Sequence, residues 1–310
     1  MALSALSGDE LNSIFIRLCN PLEPRVAVAF SIASHGLQVS TQVARQQLRT
    51  QHEAAAYLCH KAGKSHFNES PMGTCEQLRM AKSAFWVDLS LSAADFTTLA
   101  MLSSVLPALE ELSIIENLPA AAAISGPDSV QQLVTGLCAG ALPAVTVLRL
   151  DNMYVGNAGA SALADALGRG ALPQLTRLFL DTNGIGDAGL LALAPALRRL
   201  PALNQLFIGH NLIGDEGLAA LVAPSPPPTG ALSPPTRVLT KLAELTLSYT
   251  QISDAGCAAL ASAFDRGDLP ECKVLNLDGI SATASATARV AVREALQRRG
   301  GIIRGVWMVA

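Results

Sequence analysis

The sequence predicts an α/β solenoid, in which short parallel strands and helices alternate along the chain. A block of about thirty residues recurs four times, each copy joining an L-x-x-L-x-L segment to a glycine-bearing turn. The copies begin at Leu142, Leu172, Leu200 and Leu239, and their turns end at Gly159, Gly189, Gly217 and Gly256. Self-similarity at a fixed period is typical of solenoids, in which each repeat buries its apolar face against its neighbours.

Each repeat divides into a strand, a turn and a helix. The alternation in L-x-x-L-x-L predicts a short strand with its leucines inward. Leucine pairs four residues apart, such as Leu163 and Leu167, share one helix face. Short polar residues after the turn are predicted at helix N-cap positions, where they satisfy free backbone N–H groups; these are Asn157, Asp187, Asp215 and Asp254. The repeats would stack a parallel sheet inside a ring of helices.

This pattern resembles the leucine-rich repeats of the ribonuclease-inhibitor type, over residues 84–299. The resemblance implies a horseshoe with a concave parallel sheet and outer helices, to which the chain adds an N-terminal helical cap. In that family an asparagine after the strand bonds to the backbone of adjacent repeats. Asn117, Asn183 and Asn211 occupy that position. Met153, Thr250 and Ile280 depart from it, which predicts an interrupted asparagine ladder.

The repeats divide the chain into three regions. Residues 1–83 read as a helical cap, in which Pro21 and Pro24 break residues 6–37 into two short helices. A further helix is predicted over residues 38–62, and a short one over residues 74–83. Residues 84–299 hold the repeats, the first at Trp86, with a proline-rich insertion at residues 224–237. Residues 300–310, which include Trp307, form a C-terminal tail without a repeat position.

Composition excludes several classes of partner. The net charge of −3 over 310 residues gives no electrostatic argument for nucleic acid or an anionic membrane. No early apolar stretch approaches the ~20 residues that span a bilayer, and no signal peptide is evident. Six cysteines lie far apart without a paired framework, which favours a reducing compartment. We therefore expect a cytoplasmic protein, with the nucleus as the alternative.

Two motifs suggest chemistry and are better explained by the fold. Residues 184–189 match G-x-G-x-x-G, but sister repeats reproduce the segment, and Asp187 would stand where phosphates must bind. Cys59, His60, His66 and Cys75 are the zinc-type ligands, yet their spacing fits no common zinc framework. The sequence thus predicts no cofactor, no metal and no catalytic residue.

The outward residues of the strands are the candidates for binding, because they would line the concave face. They are Ser113, Val147, Arg149, Asp151, Arg177, Phe179, Asp181, Gln205, Phe207, His210, Glu244, Thr246, Tyr249, Asn276 and Asp278. The predicted partner-binding set is Arg149, Asp151, Arg177, Phe179, Asp181, Phe207, His210 and Tyr249. Phe179 and Phe207 hold equivalent positions in successive repeats and should stand side by side. Aromatic residues beside arginines have the composition of a binding hot spot.

The function predicted from these observations is non-catalytic protein–protein recognition. Two alternatives remain open. Residues 6–37 resemble an F-box, through LSGDEL at residues 6–11, Ile14-Phe15, Leu18 and Pro21-Leu22. That resemblance implies a substrate receptor of a cullin-type ubiquitin ligase, with residues 6–37 binding the adaptor; the other interpretation is a cap over the first repeat. A small-GTPase regulator is the second alternative, since a GTPase-activating family uses the same repeat type.

Overall fold

The computed structural model describes residues 6–33, 35–65, 68, 72–116, 127–222, 239–280 and 283–304. Its helices are α1 (Gly8–Leu18), α2 (Arg25–Ile32), α3 (His35–Ser40), α4 (Gln42–Ala62), α5 (Cys75–Met80), α6 (Ala93–Leu102), α7 (Pro127–Gly136), α8 (Gly156–Gly168), α9 (Asp187–Leu197), α10 (Asp215–Val222), α11 (Asp254–Arg266) and α12 (Ala286–Gln297). Its strands are β1 (Ser83–Val87), β2 (Glu111–Ile115), β3 (Val147–Arg149), β4 (Arg177–Phe179), β5 (Gln205–Phe207), β6 (Glu244–Thr246), β7 (Val274–Asn276) and β8 (Ile302–Arg304). His66, Asn117, the insertion at residues 224–237 and the end of the tail, with Trp307, lie outside the described residues.

The strands form one parallel sheet in chain order, from β1 to β8. The register aligns one leucine from each of six successive strands, and none of these side chains is more than 2 % exposed: Leu112, Leu148, Leu178, Leu206, Leu245 and Leu275. Strands lie about 4.8 Å apart, whereas packed helices need about 8–10 Å. The sheet therefore takes the inner side of a curve, and its free side is the predicted concave face.

The first strand begins earlier than the sequence pattern indicated. Repeats were expected from Trp86 onward, but the register pairs Trp86 with Ile114, at the end of the strand segment. Ala81 and Ala84 take the positions that leucines hold in later repeats. Small alanines conceal the leucine pattern, and the buried Trp86 ring fills the space beside them.

The C-terminal tail also differs from expectation. Ile302–Arg304, which had no expected repeat position, pairs in parallel with Val274–Asn276 and forms the last strand of the sheet, β8. Ile303 packs against the core, whereas Ile302 is 57 % exposed at the sheet edge. Gly300 stands where the preceding repeat has Cys272, so the L-x-x-L-x-L pattern that marks the other three-residue strands is not visible here.

The asparagine ladder is present at two junctions. The Asn211 Oδ1 atom accepts hydrogen bonds from the N–H groups of Asn183 and Ile185, both at 3.0 Å. Asn183 repeats the arrangement one turn earlier, where its Oδ1 accepts from the Met153 N–H group at 2.9 Å. At the equivalent position Thr250 bonds only to Leu247 of its own repeat, through Oγ1 at 2.8 Å.

A second ladder joins the helix N-termini, and it corrects the predicted N-caps. Asp187 is the first residue within α9 and not the residue before it. Its Oδ1 atom accepts from the Gly214 and Gly217 N–H groups at 2.7 and 2.9 Å, so it caps the helix of the next repeat. A Cβ atom at Gly217 would stand only 2.6 Å from that oxygen, so the close approach requires glycine. Asn157, Asp215 and Asp254 likewise accept from the following repeat.

The N-terminal helices divide into two packing units. The second half of α4, from Ala55 to Ala62, belongs to the core of the repeats, and Lys61 Nζ lies 2.7 Å from Asp95 Oδ2 on α6. Helices α1 and α2 and the first half of α4 share a separate small core, which contains Phe15, Ala27, Ala44 and Leu48. Residues 6–37 were expected to form two helices and residues 38–62 one more; the structure adds the short helix α3 (His35–Ser40) between them, and α4 begins at Gln42. No helix among the described residues is long and apolar enough to cross a membrane.

Candidate partner-binding site

The concave face carries a stacked pair of phenylalanines. Phe179 on β4 and Phe207 on β5 are direct neighbours in the strand register. Their ring centroids are 4.3 Å apart and their planes differ by 3°. Both side chains are half-buried. The side-by-side arrangement expected from the repeats is confirmed.

Arg149 extends this stack by one layer. Its guanidinium carbon lies 4.0 Å from the Phe179 ring centroid, on the strand that precedes β4. A cation over an aromatic face gains about 0.5–1 kcal/mol at exposed sites. Three adjacent strands therefore present a continuous series of planar groups: Arg149, Phe179 and Phe207. Arg177 is exposed at the start of β4, two residues before Phe179 on the same face.

A second aromatic pair lies in the turns that follow β5 and β6. The His210 and Tyr249 rings stack at 4.4 Å with an interplanar angle of 18°. Both residues have left-handed backbones, each with φ of 53°. Gly279 holds the corresponding turn position after β7, and a Cβ atom there would lie 2.4 Å from Tyr249 Cδ1. The Tyr249 ring thus covers Gly279 on one side and is 58 % exposed overall.

Two carboxyl groups line the edge of the phenylalanine stack. The Asp151 Oδ1 atom accepts from the Asp181 N–H group at 3.1 Å, and the Asp181 Oδ1 atom accepts from the Gly209 N–H group at 2.5 Å. Burial raises the pKa of Asp181 to about 6, and the Asp151 charge adds to the effect. Burial also raises the pKa of Asp151. The hydrogen bond from the Asp181 N–H group and the Arg149 charge partly offset this rise. Asp151 Oδ2 lies 3.5 Å from Arg149 Nε.

A polar network further along the face was missed by sequence reasoning. Glu244 accepts from Gln205 Nε2 at 2.7 Å and pairs with Arg304 Nη1 at 3.0 Å. Arg304 lies on β8, which carried no repeat signal, so nothing in the sequence linked it to Glu244. The network connects the middle of the concave face to its C-terminal edge.

Three predicted face residues are not available to a partner. Ser113, Val147 and Thr246 are only 0 %, 2 % and 8 % exposed. Their strand positions match those of more exposed residues in other repeats. The predicted outward direction does not guarantee exposure.

The two chemical motifs take structural roles. Asn157 Oδ1 accepts from the Gly186 and Gly189 N–H groups at 2.8 and 3.1 Å, so the amides of the G-x-G-x-x-G segment are already bonded. Cys59 is buried in α4 and lies beside Cys75. Among the described residues, which do not include His66, no three histidine, cysteine or acidic side chains could hold a metal ion.

Comparison with known proteins agrees with this architecture. The family described as "Leucine Rich repeat" matches residues 172–194, 202–222 and 238–261. No curated protein matches the chain. The stacked strand–turn–helix units define a solenoid with a parallel inner sheet. The chain contains leucine-rich repeats over these matched residues.

Solved structures similar to this chain include three proteins of low identity. Leiomodin-1 Actin-Binding Site 2 is 10% identical, with 48% of this chain and 79% of that one covered and a TM-score of 0.37. A Bacteroides fragilis protein is 12% identical, with 80% and 69% covered and a TM-score of 0.43. An internalin from Listeria monocytogenes is 15% identical, with 78% and 66% covered and a TM-score of 0.37.

Proposed function

We propose that this protein, a repeat protein of the ribonuclease-inhibitor type, is a non-catalytic scaffold of the cytoplasm or nucleus. It would recognise a protein partner through the concave face of its sheet. The observation that carries the proposal is the pair of aromatic stacks, Phe179–Phe207 and His210–Tyr249, on neighbouring repeats of one face. Rigid, partly exposed aromatic side chains supply most of the binding energy in many interfaces. Two adjacent stacks form a patch, which scattered exposed residues do not.

The backbone at the second stack supports the same proposal. The turn residue after the strand has a left-handed backbone in five successive repeats, whatever its side chain: Asn152, Thr182, His210, Tyr249 and Gly279. His210 and Tyr249 are the two of these that carry rings, and each has φ of 53°. The fold does not need large rings at these sites, so a role in recognition accounts for them.

Charges around the stacks would determine which partner is accepted. Arg149 and Arg177 supply positive groups beside the phenylalanines, and Asp151 and Asp181 supply acidic ones. Charged groups at the edge of an interface contribute mainly to specificity and to the rate of association. A partner with apolar anchors and charges of both signs fits this surface best.

The combined substitution of Phe179→Ala and Phe207→Ala tests the concave face. We expect the double variant to bind its partner at least ~100-fold more weakly, because two hot-spot residues each contribute about 2 kcal/mol or more. Quantitative affinity purification with mass spectrometry would identify proteins retained by the wild type and lost by the variant. Titration of the purified partner would then give the dissociation constants.

Leu191→Ala is the matched control for this experiment. Leu191 is 47 % exposed on α9, on the helical side of the solenoid. Its substitution removes exposed apolar surface without touching the concave face, so the partner should be retained. A folded double variant that keeps full affinity would refute the concave-face proposal.

A second candidate function is adaptor binding by residues 6–37, as in a cullin-type ubiquitin-ligase receptor. The observation that favours it is the separate core shared by α1, α2 and the first half of α4, which capping of the repeats does not require. Ile16, Val26 and Ile32 are 56 %, 53 % and 57 % exposed on these helices. Co-purification of a ligase adaptor, lost on Ile16→Glu with Ile32→Glu, would support this function. Absence of any adaptor from the wild-type complexes would exclude it.

A further inference from the structure

Two cysteines meet at the junction between the helical cap and the first repeat. Cys59 lies near the end of α4 and is fully buried, whereas Cys75 is the first residue of α5 and is half-buried. Their Sγ atoms are 3.9 Å apart, and the Cys59 thiol donates a hydrogen bond to Cys75 Sγ. Both are free thiols in this structure. The two sulfur atoms are thus already in contact.

The two thiols differ in their tendency to ionise. The hydrogen bond from Cys59 lowers the pKa of Cys75 to about 6, against the opposing effect of burial, and His52 contributes in the same direction. The same hydrogen bond and burial raise the pKa of Cys59. Thiolates are the nucleophilic form of cysteine. At neutral pH Cys75 is therefore the nucleophile, and Cys59 is a protonated neighbour.

We propose that Cys59 and Cys75 form a reversible disulfide when the protein is oxidised by hydrogen peroxide. Disulfide formation needs the sulfur atoms to approach to about 2.05 Å. That closes the present 3.9 Å contact by about 2 Å, within reach of side-chain rotation and a small shift of the short helix α5. The proposal is independent of the concave face and of any adaptor.

The oxidation proceeds in two balanced steps. The Cys75 thiolate attacks one peroxide oxygen, an S–O bond forms as the O–O bond breaks, and the departing hydroxide takes a proton to become water. The product is a sulfenic acid on Cys75. The Cys59 sulfur then attacks the Cys75 sulfur, the S–O bond breaks, and the Cys59 proton leaves with hydroxide as a second water. Two thiols lose two electrons in total, and one peroxide is reduced to two waters.

The bond would fasten the cap to the solenoid. Cys59 belongs to the part of α4 that packs into the repeat core, and α5 leads directly into β1. Lys61 and Asp95 already hold α4 against α6 close by. A disulfide would add a covalent link at the same junction, and a dithiol reductant would remove it by thiol–disulfide exchange.

Peptide mapping of the reduced full-length chain tests the proposal directly. The chain is treated with increasing hydrogen peroxide, its remaining thiols are blocked with N-ethylmaleimide, and the digest is analysed by mass spectrometry. We expect a peptide cross-linked between Cys59 and Cys75, about 2 Da lighter than the two parent peptides together. It should form at doses that leave the exposed Cys138 blocked by maleimide, and dithiothreitol should remove it.

Three substitutions separate the roles of the cysteines. Cys59→Ser should leave a Cys75 sulfenic acid that dimedone traps, Cys75→Ser should leave Cys59 unoxidised, and Cys138→Ser should form the disulfide as the wild type does. If a variant fails to fold, the peptide mapping of the oxidised wild-type chain still tests whether Cys59 and Cys75 form the disulfide. The proposal is overturned if Cys75 is oxidised no faster than Cys138, or if its disulfide joins another chain instead of Cys59.

Discussion

At the scale of single residues, Asp181 is held where its negative charge is disfavoured. Burial and the nearby Asp151 carboxylate raise its pKa from 3.8 to about 6. Between about pH 4 and about pH 6 the folded protein therefore keeps a proton that the unfolded chain has released. The resulting stabilisation is complete below about pH 4 and is lost as the pH rises through about 6.

Asp181→Asn should remove this dependence on pH. The amide keeps an Oδ1 acceptor for the Gly209 N–H group but carries no charge. We expect the variant to melt at a higher temperature than the wild type at neutral pH, and the difference to shrink as the pH falls toward about 4. Thermal unfolding followed by circular dichroism across this range would measure it. Asp165→Asn, at an exposed site on α8, is the control, and an equal pH profile for both variants would contradict the prediction.

At the scale of elements, helices α9 to α12 each depend on the repeat before them. Asp187 accepts from two amides at the start of α10, and Asn157 accepts from the equivalent two at the start of α9. The exchange of a carboxylate for an amide between repeats shows that the acceptor oxygen is the shared requirement. A negative charge adds a favourable interaction with the positive end of the helix.

Asp187→Ala should destabilise the protein by about 1–2 kcal/mol, because two N–H groups lose their acceptor. Asp187→Asn should cost less, since Asn157 already serves this role in a sister repeat. Urea unfolding would give the free energies of both variants. The matched control is Asp165→Ala, whose exposed side chain should change stability by no more than about 0.5 kcal/mol. If Asp187→Ala is no more damaging than this control, the ladder carries no stability.

At the scale of the whole molecule, one apolar core runs from the cap to the last strand, and the small core of α1, α2 and the first half of α4 stands apart from it. The proline-rich insertion interrupts the repeat spacing without interrupting this core. Leu175 and Leu203 are 28 residues apart, whereas Leu203 and Leu242 are 39 apart, yet both pairs occupy equivalent buried sites. A solenoid accepts such an insertion because the free-energy cost of closing a loop rises only weakly with loop length.

Deletion of residues 226–235 should therefore leave the fold intact. It would reduce the spacing from 39 to 29 residues, close to that of the sister repeats. We expect a melting temperature within a few degrees of the wild type, measured by differential scanning calorimetry. Replacement of the same ten residues by glycine and serine separates the effect of length from that of sequence. A large loss of stability in both variants would mean that the insertion packs against the repeats.

The repeat period allowed the leucine rows and the Phe179–Phe207 contact to be predicted, because equivalent positions in parallel strands become neighbours. The His210–Tyr249 stack was harder to foresee as a contact, since the insertion puts these residues 39 positions apart. The sequence could not show which helix each of these residues caps. A residue at a helix start lies near the N-terminal amides of its own helix and near those of the helix in the next repeat. Strand β1 was misaligned because alanines replace its leucines.

The direction of the capping ladder also bears on how the chain is made. Asp187 precedes Gly214 and Gly217 in the sequence, and Asp215 precedes Ser253 and Gly256. As the chain leaves the ribosome, each acceptor is synthesised before the amides that it binds. A newly emerging helix therefore finds its cap on a neighbour that has already been synthesised, and the solenoid can grow in the order of translation.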